Sequence, residues 1–438
     1  MRLERSKLDG TRSGLPERPL PLRVLYLVQY CNALDQPGSG RAYYLLRYLA
    51  ERGHQVTLIT GAVHYQARKG DSRARRLFTR ERQGSLSVVK VGWLLPYGGR
   101  MCFRWLNYLI FSATATLGGL LYGGRPQVVV ASSAPLTIAV PGIILSALKR
   151  APFVFEVRDI WPGWLVEFGL LRRGPAVRLA ERLESLSYRL ARRVITLTRG
   201  MREELIERGI PAEKIVHISQ GADLSLCSPR SPDNAFSRAH GLGNKFVCLY
   251  TGNHGLVAGL EYVLEAARLL QDQEDIVFIL MGEGTGKPAL QQLARDMGLP
   301  NVRFLDPVPK LAIPEVIAAA SVCLDCVRNV SVTHRFMPSK FFDYAACGRP
   351  ILSNLGGESA ELLDRYGAGL PTNPADASSL AEAVKELRAD PERRMRMGEN
   401  ARRLAEEVLD RRLVADAFER LLLDIADGGR KRSASKTA

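Results

Sequence analysis

The stretch from His334 to Asn354, HRFMPSKFFDYAACGRPILSN, concentrates the residues of this 438-residue chain that could do chemistry together. Pro338 fits the opening of a helix, because its missing N–H is one that a first turn leaves unpaired and its φ is already helical. The helix expected from it spans Pro338 to Ala346, with Gly348 as a left-handed stop and a short strand over 350–353 behind it. Unpaired amides and a dipole worth about half a positive charge suit a phosphate at such a helix start. Ser339 lies among those amides, and Lys340 adds a full charge. Asp343 comes one turn later, where a carboxylate can accept hydrogen bonds from two neighbouring hydroxyls. Phosphate beside a diol describes a nucleotide. The plain alternative is an amphipathic helix whose Lys340 and Asp343 are merely solvated.

The elements that must hold these residues alternate regularly. An apolar run over 23–29 reads as a buried strand, followed by a loop with Gly38 and Gly40, a helix over 41–52 and a strand over 55–60. Glycines let a backbone approach a phosphate or sugar closely, although one such pair is common in turns. Further strands are expected at 88–91, 127–131 and 153–162. The last carries EVRDIWP, with its polar residues at the carboxyl end, where doubly wound sheets take ligands. Arg158 and Asp159 are therefore site candidates, with a structural ion pair as the alternative. Residues 224–243 hold Pro229, Pro232, Gly241 and Gly243 among polar residues and read as a linker. From Lys245 the grammar restarts: a strand, the loop Gly252-Asn253-His254, a helix over 259–270, then strands ending before Gly282, before Val308 and at Val327. Two α/β halves, and a length too great for one core, predict two domains.

Hydrophobic content of 46% with 24% charged residues is that of an ordinary globular protein. A net charge of +16 calls for an acidic partner: nucleic acid, an anionic membrane surface or a phosphate-bearing substrate. Between Tyr65 and Arg104 many Lys and Arg residues are interleaved with Leu77, Phe78, Trp93 and Tyr97, as an interfacial, lipid-facing surface requires. A solvated loop with a few core aromatics is the alternative. Leu106 to Tyr122 is the most membrane-like run, but Asn107, Ser112, Thr114 and Thr116 interrupt it, and it falls short of about 20 apolar residues. A buried or half-inserted helix is expected there. Residues 1–20, polar and proline-rich, carry no secretion signal and read as a disordered basic lead-in. The seven cysteines are scattered and suit reduced thiols in cytosol. Cys323 and Cys326, a lone CxxC, read as strand residues because no second ligand pair accompanies them.

The segment PSKFFDYAACGRPIL resembles the corresponding segment of retaining glycosyltransferases of family 4. It is most similar to the bacterial surface-polysaccharide branch typified by L-fucosamine transferases and colanic-acid transferases, and the resemblance runs from about Leu22 to Ile425. EVRDIWP is similar to the same branch. Gln220-Gly221-Ala222-Asp223 resembles the turn that ends the family's first domain, and Gly282-Glu283-Gly284 its G-x-G beside the base and ribose. The resemblance implies the α/β GT-B fold, two Rossmann-like domains facing across a cleft. It divides the chain into a lead-in (1–20), an acceptor domain (21–223), a linker (224–243), a nucleotide-sugar domain (244–405), a helix crossing back to the first domain (406–427) and a basic tail (428–438).

The same resemblance implies donor binding by Gly38, Gly40, Gly252, Asn253, His254, Gly282, Gly284, Val308, Pro338, Ser339, Lys340 and Asp343, and a catalytic role for Lys340. Arg158 and Asp159 are candidate catalytic residues by their place at the carboxyl end of a strand; more distant family members usually have a histidine where Arg158 stands, so that residue's role does not carry over. Gln220 stands where the family usually has asparagine, and two further departures bear on the donor site. The Arg and Lys that many relatives use against the diphosphate fall on His254 and Ala258, so Lys340, with Arg158, is expected to supply that charge. Of the family's paired glutamates the second is Asp343, and the first falls on Arg335. The expected reaction is transfer, with retention, from a UDP-sugar (an N-acetylated hexose or deoxyhexose) to a saccharide on polyprenyl diphosphate in surface-polysaccharide or O-antigen assembly. No metal or other cofactor is expected, and the enzyme would sit on the anionic inner face of the plasma membrane. A UDP-sugar 2-epimerase of the same fold is an alternative that needs no lipid-facing basic patch. A nucleic-acid binder is another, for which no recognised module is present.

Overall fold

Continuous runs of Val, Ile, Leu and Phe, buried on both faces, form the parallel strands of two separate sheets. The computed structural model describes residues 21–31, 40–62, 76–92, 101–328, 331–374 and 376–434. The expected lead-in, Gly38, Trp93, Tyr97 and the basic residues over 63–75 lie outside them.

The first sheet contains β1 (Arg23–Val28), β2 (Gln55–Gly61), β3 (Phe78–Gln83), β4 (Leu86–Val91), β5 (Val128–Ser132), β6 (Phe153–Val157), β7 (Arg193–Thr196) and β8 (Ile215–His217). Its order is β3-β4-β2-β1-β5-β6-β7-β8, parallel except for β3 against β4. The second holds β9 (Phe246–Thr251), β10 (Ile276–Met281), β11 (Val302–Leu305), β12 (Val322–Asp325), β13 (Ile351–Ser353) and β14 (Gly369–Pro371), ordered β11-β10-β9-β12-β13-β14. The order reverses between β1 and β5 and between β9 and β12. At such a reversal the loops leave in opposite directions and open a crevice at the strands' carboxyl ends.

Several elements differ from expectation. Phe78, expected in a lipid-facing stretch, opens β3, which turns back on β4 through Gly84 at φ +58°. The linker carries a helix, Ala235–Ala239, because the Asn234 side chain accepts the Ser237 amide while Ser237 returns the bond to the Asn234 N–H. The helix expected to end at 427 runs on into the basic tail, over Arg411–Ala434.

That last helix returns to the first sheet, where Phe418, Leu422 and Ile425 pack with Tyr26, Leu45 and Leu49. Its Glu419 Oε1 lies 2.7 Å from His54 Nε2, and the other His54 ring nitrogen accepts the Leu22 N–H at 3.0 Å. The chain thus crosses between lobes twice, and the crossings are paired: Arg411 N–H donates to Ala222 O at 2.9 Å. Among the described residues no helix is long and apolar enough to cross a membrane.

Candidate functional site

β12 ends at Asp325, beside the strand-order reversal, and the helix Ser339–Ala346 follows it. From Phe341 to Ala346 every residue of the helix is buried, so it is packed on all sides, while Ser339 is exposed at its start. Pro338 has φ −61° and ψ 147°, so it is the extended residue before the helix rather than its first member, and no side chain caps the start.

Lys340 is half-buried and engaged rather than offered freely at the tip. Its Nζ lies 3.3 Å from Asp325 Oδ1 and 4.8 Å from the centre of the Tyr250 ring. Burial pushes the Asp325 carboxyl up, and the Lys340 charge offsets part of that shift. The expectation that Asp343 stands free for a diol is likewise corrected. Its carboxylate pairs with the Lys310 ammonium, and Cys227 Sγ lies 3.7 Å from the other oxygen. A carboxylate this deeply placed needs a compensating cation. Asp325–Lys340 and Lys310–Asp343 are thus two ion pairs that tie the helix to its surroundings, and Asp325 and Lys310 were not anticipated.

The glycines hold the neighbouring loops together. A Cβ on Gly282 would sit 1.8 Å from Gly252 O, and one on Gly284 would sit 2.5 Å from Asn253 Oδ1. Gly252 and Asn253 remain exposed at the end of β9. His254, expected against the donor, is instead a packing residue between Tyr250 and Phe304, with ring centroids 5.9 and 6.1 Å away. Burial, then the Lys287 charge, lowers its pKa to about 4, so it is neutral at pH 7 and cannot replace the missing arginine. Lys287, also not anticipated, donates to Gly282 O at 2.9 Å and to Asp306 at 2.8 Å, fixing the ends of β10 and β11 beside Val308. Val308 is half-buried against the second core.

In the first lobe, Arg158 and Asp159 follow β6 and are half-buried, with the Arg158 N–H on Ser133 Oγ at 3.1 Å. Burial raises the Asp159 carboxyl, and the Arg158 charge lowers it in part. Gly40 is buried just before the helix Arg41–Glu51 and accepts the Tyr44 N–H at 2.9 Å, so it anchors the helix start.

Arg41, which sequence reasoning passed over, is fully buried. It forms two bonds to Glu156 Oε1, at 2.9 and 3.1 Å, and its guanidinium also donates to the carbonyls of Ile218, Ser219 and Gln220. Tyr26 and Ser132 each donate to Glu156 at 2.6 Å. Burial disfavours the Glu156 charge, but Arg41 and the two hydroxyls outweigh it and hold the carboxyl below its usual range. The one signal available was a glutamate inside the apolar run FVFEV. Glu358 and Glu361, in the first turns of the helix Gly357–Tyr366, are inter-lobe partners: Glu358 accepts the Arg199 N–H at 2.8 Å, and Glu361 pairs with Arg199 at 2.7 Å. Among the described residues no group of three His, Cys, Asp or Glu side chains is placed to hold a metal ion.

The uncapped helix start and the exposed Gly252 and Asn253 lie at the carboxyl ends of strands beside a strand-order reversal, the place where doubly wound sheets take ligands. Comparison with known proteins identifies the family. The family model "glycosyl transferase 4-like domain" matches residues 38–221, and "glycosyl transferases group 1" matches 233–404. A putative colanic acid biosynthesis glycosyl transferase of Escherichia coli is 24% identical over 90% of this chain and 98% of its own length. Among solved structures, sucrose-phosphate synthase from Thermosynechococcus elongatus has a TM-score of 0.72 at 17% identity, covering 93% of this chain and 100% of that one. HepE from Anabaena, in complex with UDP-glucose, has a TM-score of 0.67 at 18% identity, covering 92% and 99%. With both lobes matched and the GT-B architecture present, the chain belongs to the family 4 glycosyltransferases.

Proposed function

We propose that the enzyme moves a sugar, an N-acetylated hexose or deoxyhexose, from a UDP-sugar to a saccharide on polyprenyl diphosphate during surface-polysaccharide assembly, with retention at the anomeric carbon. The observation that carries this reading is the uncapped start of Ser339–Ala346 beside exposed Gly252 and Asn253. The diphosphate binds there through backbone amides and competes with Asp325 for the Lys340 charge. The ribose lies toward Asp343, and the base meets the backbone at Val308. The acceptor hydroxyl approaches from the first lobe, beside Arg158 and Asp159, and passes its proton to the leaving diphosphate oxygen. Fixed amides and Lys340 supply the charge stabilisation, so no metal is required. The relative named for colanic acid biosynthesis and the fold neighbour solved with UDP-glucose support this substrate class.

The acceptor reaches the site from an anionic bilayer. On the helix Met101–Tyr122 every side chain described as exposed is apolar, among them Leu106, Leu109, Leu117, Leu120 and Leu121. This helix is about 33 Å long. The next helices add Leu148 at 62% and Leu179 at 68% exposure, with Leu186 and Leu190 continuing one line beside exposed Arg178, Arg182 and Arg189. Leucines flanked by arginines suit the boundary between acyl chains and anionic headgroups.

A panel of nucleotide sugars tests the donor assignment by thermal protection and by release of UDP. UDP and one UDP-sugar should raise the melting temperature by several degrees. Protection by GDP- or ADP-sugars alone would end the assignment.

A further inference from the structure

Arg335, four residues before the start of the Ser339–Ala346 helix, finds its partners on the other lobe. Its Nη1 lies 2.7 Å from Glu204 Oε2 and its Nη2 3.6 Å from Glu207, both on the first-lobe helix Arg199–Glu207. Thr198 Oγ1 donates to the Arg335 carbonyl at 2.8 Å. The backbones approach closely, since a Cβ on Gly200 would stand 3.0 Å from Arg335 Cα. Next door, Phe336 lies against Trp164 with ring centroids 3.8 Å apart, and the Trp164 indole N–H returns to Glu204 at 3.2 Å. Val332 is part of the first lobe's own apolar core. Only Met337 and Pro338 separate this anchored segment from the helix start at Ser339.

We infer that Arg335 is a positioning residue for transfer: it clasps the segment leading into the Ser339 helix to the first lobe, and so fixes the helix start against the acceptor side. This rests on the reading that the helix start holds the donor diphosphate. The second lobe binds UDP with its own residues, whether or not the clasp is made. Transfer requires both lobes in register, so losing the clasp should spare UDP affinity and impair the rate.

The test compares the full-length wild type with Arg335→Ala, Arg335→Lys and Gly200→Ala, the last a wedge on the opposite side of the same contact. Three quantities are read: kcat/KM for transfer, Kd for UDP, and the radius of gyration of the ligand-free protein by X-ray scattering. For Arg335→Ala, kcat/KM should fall about tenfold or more through kcat, UDP affinity should stay within about threefold, and the radius should increase. Gly200→Ala should do the same, and Arg335→Lys should recover part of the rate. An unchanged radius with unchanged kcat/KM would overturn the inference, as would UDP affinity falling in step with kcat/KM, which would make Arg335 a donor ligand. If the wild type binds no UDP, the donor reading fails; the scattering arm then still decides whether the clasp exists.

Discussion

Asp325, the last residue of β12, and Lys340, in the first turn of the helix that follows, stand 3.3 Å apart beneath the proposed diphosphate site. Removing the lysine therefore has two effects. Lys340→Ala should abolish most transfer and also cost about 3–5 kcal/mol of stability, because it strands a buried carboxylate. Adding Asp325→Asn should return most of the stability and none of the activity, as urea titrations and transfer assays on the same samples would reveal. Recovery of activity in the double variant would remove Lys340 from the reaction.

His254 makes stability depend on pH. Its folded-state pKa of about 4 lies below the ordinary 6.5, so the unfolded chain binds the extra proton first as pH falls. The contribution is fully present above about pH 6.5 and is lost on descending toward pH 4, an interval equivalent to about 3 kcal/mol. Urea midpoints should fall across that window in the wild type and fall less in His254→Gln.

The Arg41–Glu156 pair secures the first lobe to the segment that leaves it. Arg41→Met should destabilise by about 3–5 kcal/mol, since it uncovers both the Glu156 charge and three backbone carbonyls. Replacing both members, as Arg41→Met with Glu156→Leu, should be less harmful than Arg41→Met alone, as denaturant unfolding would measure.

Leu109 is 61% exposed on the apolar helix face. Leu109→Asp should weaken binding to vesicles containing anionic lipid by about tenfold, an effect visible by co-sedimentation, while leaving transfer to a short soluble acceptor near wild type. Raising salt should weaken wild-type binding to the same vesicles, because the flanking arginines supply part of the attraction.

Much of the architecture was legible because buried parallel strands are apolar throughout, and glycine loops mark where they end. The helix start at residue 339 was legible to within one position, since Pro338 limits how the chain can enter it. What escaped were relationships between distant segments. Nothing local tells Lys340 that Asp325 lies beside it, or Asp343 that Lys310 will neutralise it. Arg41 and Glu156 are 115 positions apart, and β3 was hidden because its residues face solvent on a sheet edge. Glu358 and Glu361 have the composition of an ordinary exposed helix start; only the approach of the other lobe gives them partners.

The seating of Glu419 on His54 has a consequence for how the protein is made. The outer layer of the first lobe is supplied by the last helix of the chain, so that lobe is still unfinished when the ribosome has completed β8. Roughly 200 further residues, about 10–40 s of synthesis, must emerge before the missing helix arrives. The second lobe, encoded later, is therefore the first to have all its parts, and the nascent first lobe waits with the apolar groove around Leu45 and Leu49 uncovered.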